Sequence, residues 1–269
     1  MRVVVSLGAG VQSSAMVLMA ARGEITPMPE VAIFADTQAE PQYVYDWLDW
    51  LEGELPFPIV RVTAGSLTEG MEQAIATGSR VATPPLFVRS DEGLHGASLL
   101  IRQCTKEYKI EPIRKELRRM LGLKPRQRAP KEPVFEQWMG ISQDEIQRMK
   151  DYPGKWVVNR FPLIEKRLTR LHCLEWMRDR QYPQPQKSAC TYCPYHDNAT
   201  WREMKANDKP SWDEAVRVDE MIRGGFANTK SDLYLHRSLI PLAEVDLADP
   251  AENQHTFGFM DECDGMCGV

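Results

Sequence analysis

Short apolar runs alternate with amphipathic stretches through the first half of the chain. Residues 2–6 are a β-branched run, Gly8-Ala9-Gly10 breaks it, and residues 13–22 carry a helical pattern through Met16, Val17, Leu18 and Ala20. Residues 31–35 form a continuous apolar run that predicts a buried strand, and residues 41–55 predict a helix with Val44, Leu48 and Leu51 on one face. A third strand is predicted over 59–62 and another helix over 67–76, whereas 78–96 is rich in Pro and Gly and reads as a loop. Strand and helix in strict alternation imply a parallel sheet.

The second half is less regular. Residues 110–121 are helical, with Ile113, Leu117 and Leu121 one turn apart, and 122–133 is basic and broken by proline. Residues 135–141 restore a strand, 169–180 and 211–223 predict further helices, and periodicity fades after 246. The expected fold is α/β, a doubly wound, Rossmann-like parallel sheet forming a nucleotide-binding domain over 1–165. A mainly helical, cysteine-bearing lobe with a flexible tail is expected over 166–269, packed on the first domain as one unit. At 269 residues the chain is long enough for this.

Composition narrows the setting. The net charge of -5 argues against a wholly basic protein that coats nucleic acid, while leaving room for a local basic surface. No apolar run approaches the roughly 20 residues of a membrane helix, and residues 2–6 read as a strand instead of a signal peptide. The expectation is a cytoplasmic protein without a membrane partner. Six cysteines are too few for a disulfide scaffold in a chain of this size, so their clustering points to metal or redox chemistry.

A glycine turn between a buried strand and a helix lets backbone N–H groups and the positive helix end surround phosphate. Residues 5–14, Val-Ser-Leu-Gly-Ala-Gly-Val-Gln-Ser-Ser, supply such a turn. They lack the Gly-Lys-Ser/Thr ending of a Walker loop, and Ser13 stands where a dinucleotide fingerprint has its third Gly or Ala. A dinucleotide remains a competing ligand, because Asp36 ends the second strand where an acid could bind ribose.

The turn, followed by Phe34-Ala35-Asp36-Thr37-Gln38-Ala39-Glu40-Pro41, resembles the pyrophosphate loop and strand end of the phosphoadenosine-phosphosulfate reductase-like family, within the adenine nucleotide alpha-hydrolase superfamily. The likeness continues in order through Arg102-Gln103-Cys104-Thr105-Lys106, Lys109-Ile110-Glu111-Pro112-Ile113, Gly140-Ile141-Ser142, Phe161-Pro162-Leu163-Ile164-Glu165 and Ser188-Ala189-Cys190-Thr191-Tyr192-Cys193-Pro194. It implies that Ser6, Gly8, Gly10, Gln12, Ser13 and Ser14 bind the phosphates of ATP or another adenine nucleotide, with Mg2+ offsetting their charge. Asp36 and Thr37 would close the pocket from the next strand. In the commoner Ser-Gly-Gly-x-Asp-Ser form of the loop an acid occupies the place of Gln12.

Cys190-Thr191-Tyr192-Cys193 is a C-x2-C knuckle, a spacing that lets two thiolates grip one metal centre. In the adenylylsulfate-reductase branch of the family, a tandem Cys-Cys and a later C-x2-C hold a [4Fe-4S] cluster, so the resemblance implies Cys104, Cys190 and Cys193 as ligands. Thr105 replaces the other tandem cysteine; either Cys173 is the fourth ligand or one iron is left open. Zinc satisfies the same ligands. Read by itself, Cys173 falls among Leu171, Leu174 and Trp176 and suits a small buried hydrophobe. Cys263 and Cys267 are paired thiols suited to attack on, or relay of, a sulfur atom, and their segment resembles the Glu-Cys-Gly ending that carries the reductase nucleophile. A disordered terminus or a second metal pair are the competing readings.

Eight basic residues between Arg114 and Lys131 stand among two acids, Glu116 and Glu132, a run that suits a nucleic-acid backbone or a solvated face equally. His196 reads as a reserve ligand or, more plainly, a surface histidine, and Trp47, Trp50, Trp176 and Trp201 read as core. The functional expectation is ATP-dependent activation of a nucleic-acid acceptor, followed by iron-sulfur-assisted sulfur transfer from a sulfur donor. Its rivals are a sulfonucleotide reductase served by a thioredoxin-like protein and a metal-stabilised nucleotide-binding module without turnover.

Overall fold

The computed structural model of the chain describes residues 1–89, 97–227, 229 and 231–248. The first half runs β1 (Arg2–Leu7), α1 (Val11–Ala21), β2 (Val31–Asp36), α2 (Gln42–Glu54), β3 (Ile59–Thr63) and α3 (Leu67–Thr77), then two short strands, β4 (Phe87–Arg89) and β5 (Ala97–Leu99). A π-helical turn, Thr105–Ile110, leads into α4 (Glu111–Met120). There follow β6 (Phe135–Met139), β7 (Val157–Arg160), α5 (Pro162–Glu165), α6 (Arg170–Asp179), α7 (Asn198–Asn207), α8 (Lys209–Met221) and β8 (Leu233–Tyr234).

Five strands form one parallel sheet in the order β3-β2-β1-β6-β7. Ser6 of β1 lies between Ile33 of β2 and Met139 of β6. From β1 the chain winds outward to β3, then returns to place β6 on the other side of β1. At such a reversal the connections leave the carboxyl ends of two neighbouring strands in opposite directions and open a crevice between them.

Both faces of the sheet are covered. Val3, Val5, Leu7, Ala32 and Phe34 pack against Met16 of α1, Leu48 and Leu51 of α2, and Cys173 and Met177 of α6. Val4, Val31, Ile33 and Ala35 pack on the opposite face against Ile113 and Leu117 of α4 with Tyr152 and Trp156. Burial on both sides explains why β1 and β2 read as unbroken apolar runs instead of alternating ones. The doubly wound α/β fold is as expected.

Strands β5, β4 and β8 form a second, antiparallel sheet. Its core joins Leu86 and Leu233 to Trp201, Trp212 and Val218 of α7 and α8, and also to Leu67 and Met71 of α3. The segment read as a loop over 78–96 thus contains β4, whose three residues are too few to show a period of two. Among the described residues no helix is long and apolar enough to cross a membrane.

Asp219 of α8, 1% exposed, pins the end of the described chain. It accepts hydrogen bonds from the amides of Leu235 (2.8 Å) and Leu242 (3.0 Å) and pairs with Arg223. Asp219→Ala would leave these donors without their acceptor, and the expected loss is about 3–5 kcal/mol. Urea unfolding of the two proteins reads that difference; a loss below about 1 kcal/mol would contradict the assignment.

Candidate functional site

The turn after β1 joins the sheet to the amino end of α1. Ala9 takes the left-handed region at φ 58°, between two glycines that add no side chain to the buried turn, and Gly10 caps α1 without any side-chain hydrogen bond. Ser14 N–H closes the first helical bond to Gly10 O, so the amides of the preceding turn have no intrahelical acceptor. No acid stands in the first turn of α1. Gln12 is fully buried, yet neither its Oε1 nor its Nε2 has a hydrogen-bond partner, and the Oγ of buried Ser6 has none either. Buried polar atoms of this kind are costly unless a bound group satisfies them.

Two of the expected phosphate residues also have structural duties. Ser13 Oγ donates to Gly10 O at 3.2 Å and tightens the turn, while Ser14 Oγ accepts from Trp47 Nε1 at 2.9 Å and fixes α2 to it. Gly140, just past β6, closes the crevice: a Cβ there would lie 2.7 Å from Ser13 Cα. Only glycine permits the two backbones to approach so closely.

On the neighbouring strand, Asp36 Oδ1 accepts from Gln38 N–H (2.7 Å) and Tyr45 Oη (2.9 Å). Burial and that carboxylate raise the Tyr45 hydroxyl, which remains a proton donor near pH 7. Thr37 is buried and turns to the cysteines, with its Oγ1 3.3 Å from Cys190 Sγ. Both approach Glu40: Thr37 Oγ1 donates to its Oε1 at 3.4 Å and the Cys190 thiol does so at 3.6 Å. Lys109 Nζ reaches the same oxygen at 3.3 Å, in an ion pair whose side chains are 6% and 0% exposed. Sequence reasoning assigned no role to Glu40 or Lys109. No local signal marked them, because Lys109 stands in a polar turn, Thr105-Lys106-Glu107-Tyr108-Lys109-Ile110, and only its contact with distant Glu40 sets it apart.

Cys104, Cys190 and Cys193 line one small cavity of about 20 Å3 together with Thr37, Lys109 and Arg102. Thr191 N–H donates to Ala39 O at 2.7 Å, which seats the knuckle on the segment after β2. Cys173 lies elsewhere, 0% exposed in the core between α1 and α6, and the structure does not bring it to the other three. Among the described residues no three His, Cys, Asp or Glu side chains stand close enough to hold one metal ion. A 20 Å3 space is about the size of one water. As arranged, the three thiols do not enclose a metal centre.

His196 is buried, not at the surface: its Nε2 meets Cys190 O at 3.0 Å and its ring packs edge-on to Trp201. Burial, aided by the Lys187 ammonium, lowers the imidazole to about 4 and keeps it neutral near pH 7. In the basic run, Arg118 donates to the carbonyls of Gln127 (2.6 Å) and Lys124 (3.3 Å), and Arg119 pairs with Glu116. Arg118 thus holds the loop against α4, while Arg114, Lys115, Arg119, Lys124, Arg126, Arg128 and Lys131 are exposed. Cys263 and Cys267 lie outside the described residues.

No family model matches the chain, and no curated protein matches it. Among solved structures the chain is similar to phosphoadenylyl-sulfate (PAPS) reductase from Candida auris, determined as a phosphate complex. The two share 12% identity over 69% of this chain and 75% of that one, with a TM-score of 0.40.

Gly140→Ala is expected to push on Ser13 and weaken binding of a fluorescent ATP analogue by about tenfold to a hundredfold. Gly53→Ala is the control, because a Cβ there meets nothing within 4 Å and should leave the affinity unchanged. Equal affinities in the two variants would remove the turn from the binding site.

Proposed function

We propose that the chain is an adenine-nucleotide enzyme of sulfur chemistry, which activates an oxygen of a nucleic-acid acceptor with ATP and exchanges it for sulfur. The observation that carries this reading is the 3.3 Å approach of Cys190 Sγ to Thr37 Oγ1, which sets a thiol cavity at the end of the strand beside the phosphate turn. A dehydrogenase crevice has no use for three thiols there.

In this reading the uncapped amides of α1, with Gln12 and Ser6, hold the triphosphate. The acceptor oxygen attacks the α-phosphorus, the bond to the β-phosphate oxygen breaks, and pyrophosphate leaves. A sulfur nucleophile held at the cavity then attacks the carbon that bears the adenylate, and AMP departs with the former acceptor oxygen. Arg102 contributes positive charge around that nucleophile, the Lys109 charge being balanced by Glu40. The exposed basic residues between Lys115 and Lys131 support an acceptor with a phosphate backbone.

Cys190→Ser separates the two steps. Pyrophosphate release from ATP and Mg2+ in the presence of acceptor should stay within about threefold of the parent protein, while sulfur incorporation falls by about a hundredfold or more. Gln12→Ala should weaken ATP binding by about tenfold, as the buried amide loses its hydrogen bonds to phosphate. Sulfite released from phosphoadenosine phosphosulfate, without pyrophosphate release from ATP, would replace this reading with a reductase.

A further inference from the structure

At the carboxyl ends of β6 and β7 lies a second cavity that the proposed chemistry has not used. It measures about 470 Å3, within the range of small-molecule sites. Met139, Ile141 and Phe161, all buried at the carboxyl ends of β6 and β7, supply an apolar floor. Gly140, between the first two of these, is the residue pressed against Ser13, so the segment that floors the cavity also touches the turn.

Its lining is unusual in two ways. Tyr152 is only 9% exposed and its hydroxyl has no hydrogen-bond partner. Asn159 donates through Nδ2 to Lys150 O at 2.8 Å, but its buried Oδ1 has no partner. One hydroxyl and one amide oxygen over an apolar floor match the edge of a nucleobase, which offers donors and acceptors in its own plane. Around them stand the cations Lys106, Arg114, Arg148 and Lys150 against the acids Glu111 and Asp151. Arg148 is held by Glu145 at 2.7 Å, so part of this charge is fixed in place.

A neighbouring cavity of about 440 Å3 shares Asp151, Tyr152 and Asn159 with the first and adds Lys131 and Lys155. The two therefore form one continuous groove. We infer that this groove binds a single-stranded nucleic acid, with one base seated on Met139, Ile141 and Phe161 against Tyr152 and Asn159, and the flanking phosphates carried past the lysines and Arg114. The inference rests on the proposed reading, for which it supplies the acceptor's seat next to the bound ATP.

The test uses the full chain and a fluorescein-labelled single strand of roughly 12 nucleotides, as RNA and as DNA, followed by fluorescence anisotropy over a series of salt concentrations. Arg114→Gln and Lys150→Gln should each weaken binding by about tenfold and reduce the salt slope by about one. Tyr152→Phe, which keeps the ring and the fold, should weaken binding about fivefold without changing the slope. Binding of the fluorescent ATP analogue should be unchanged in all three. Unaltered oligonucleotide affinity in these variants, or no oligonucleotide binding by a parent protein that binds ATP, overturns the groove alone. Binding of AMP in the cavity without any binding of the oligonucleotide overturns it too. A parent protein that binds the oligonucleotide through these residues but does not bind ATP leaves the groove standing and removes the proposed function.

Discussion

One carboxylate oxygen joins the parts of this molecule that matter for its chemistry. Oε1 of Glu40 receives the Lys109 ammonium, the Thr37 hydroxyl and the Cys190 thiol, and so ties the end of β2, the π-helical turn before α4 and the C-x2-C loop into one buried knot. Removing two charges from water costs several kcal/mol for each ion, so such a pair contributes little net stability. Its effect is geometric: with the ion pair closed, the segment around residue 40 has one place for a lysine and one for a thiol. The phosphate turn is reached from this knot through β2 and β1, neighbouring strands of a sheet packed on both faces.

The turn shows a related economy of charge. A carboxylate at the buried position of Gln12 would need a cation or a proton, and it would repel the phosphates that the helix end attracts. A neutral amide avoids both costs and offers two donor hydrogens and an acceptor oxygen. In the proposed reading, charge neutralisation for a triphosphate would then fall to the helix end and to cations outside the turn.

Much of the fold was legible because its signals are local. The apolar runs of β1, β2 and β3 and the periodic faces of α1, α2 and α4 appear within windows of about ten residues. Strands β4, β5, β7 and β8 were missed because two to four residues hardly display a period, and their pairing is set by distant partners. At the site, the glycine turn and the C-x2-C knuckle were visible, being compact spacings. The Glu40 and Lys109 pair, the close approach of Gly140 to Ser13 and the burial of His196 were not, because each depends on a contact between segments far apart in the chain. Cys173 shows the same limit: sequence allowed both a ligand and a core residue, and only the packing of α6 on α1 distinguishes where it sits.

The placement of β6 beside β1 also governs when this site can come into being. Arg2 pairs with Phe135 and Ser6 with Met139, so the crevice wall is supplied by residues made more than a hundred positions later. A growing chain can form the turn and α1 early, but they remain without Gly140 and the floor of the groove until β6 has left the ribosome. Parallel pairings over such separations carry a large loop-closure cost and form slowly. The crevice therefore exists only once both halves of the sheet are present, and in the proposed reading a nucleotide that binds it would favour the completed β1–β6 pairing over the open chain.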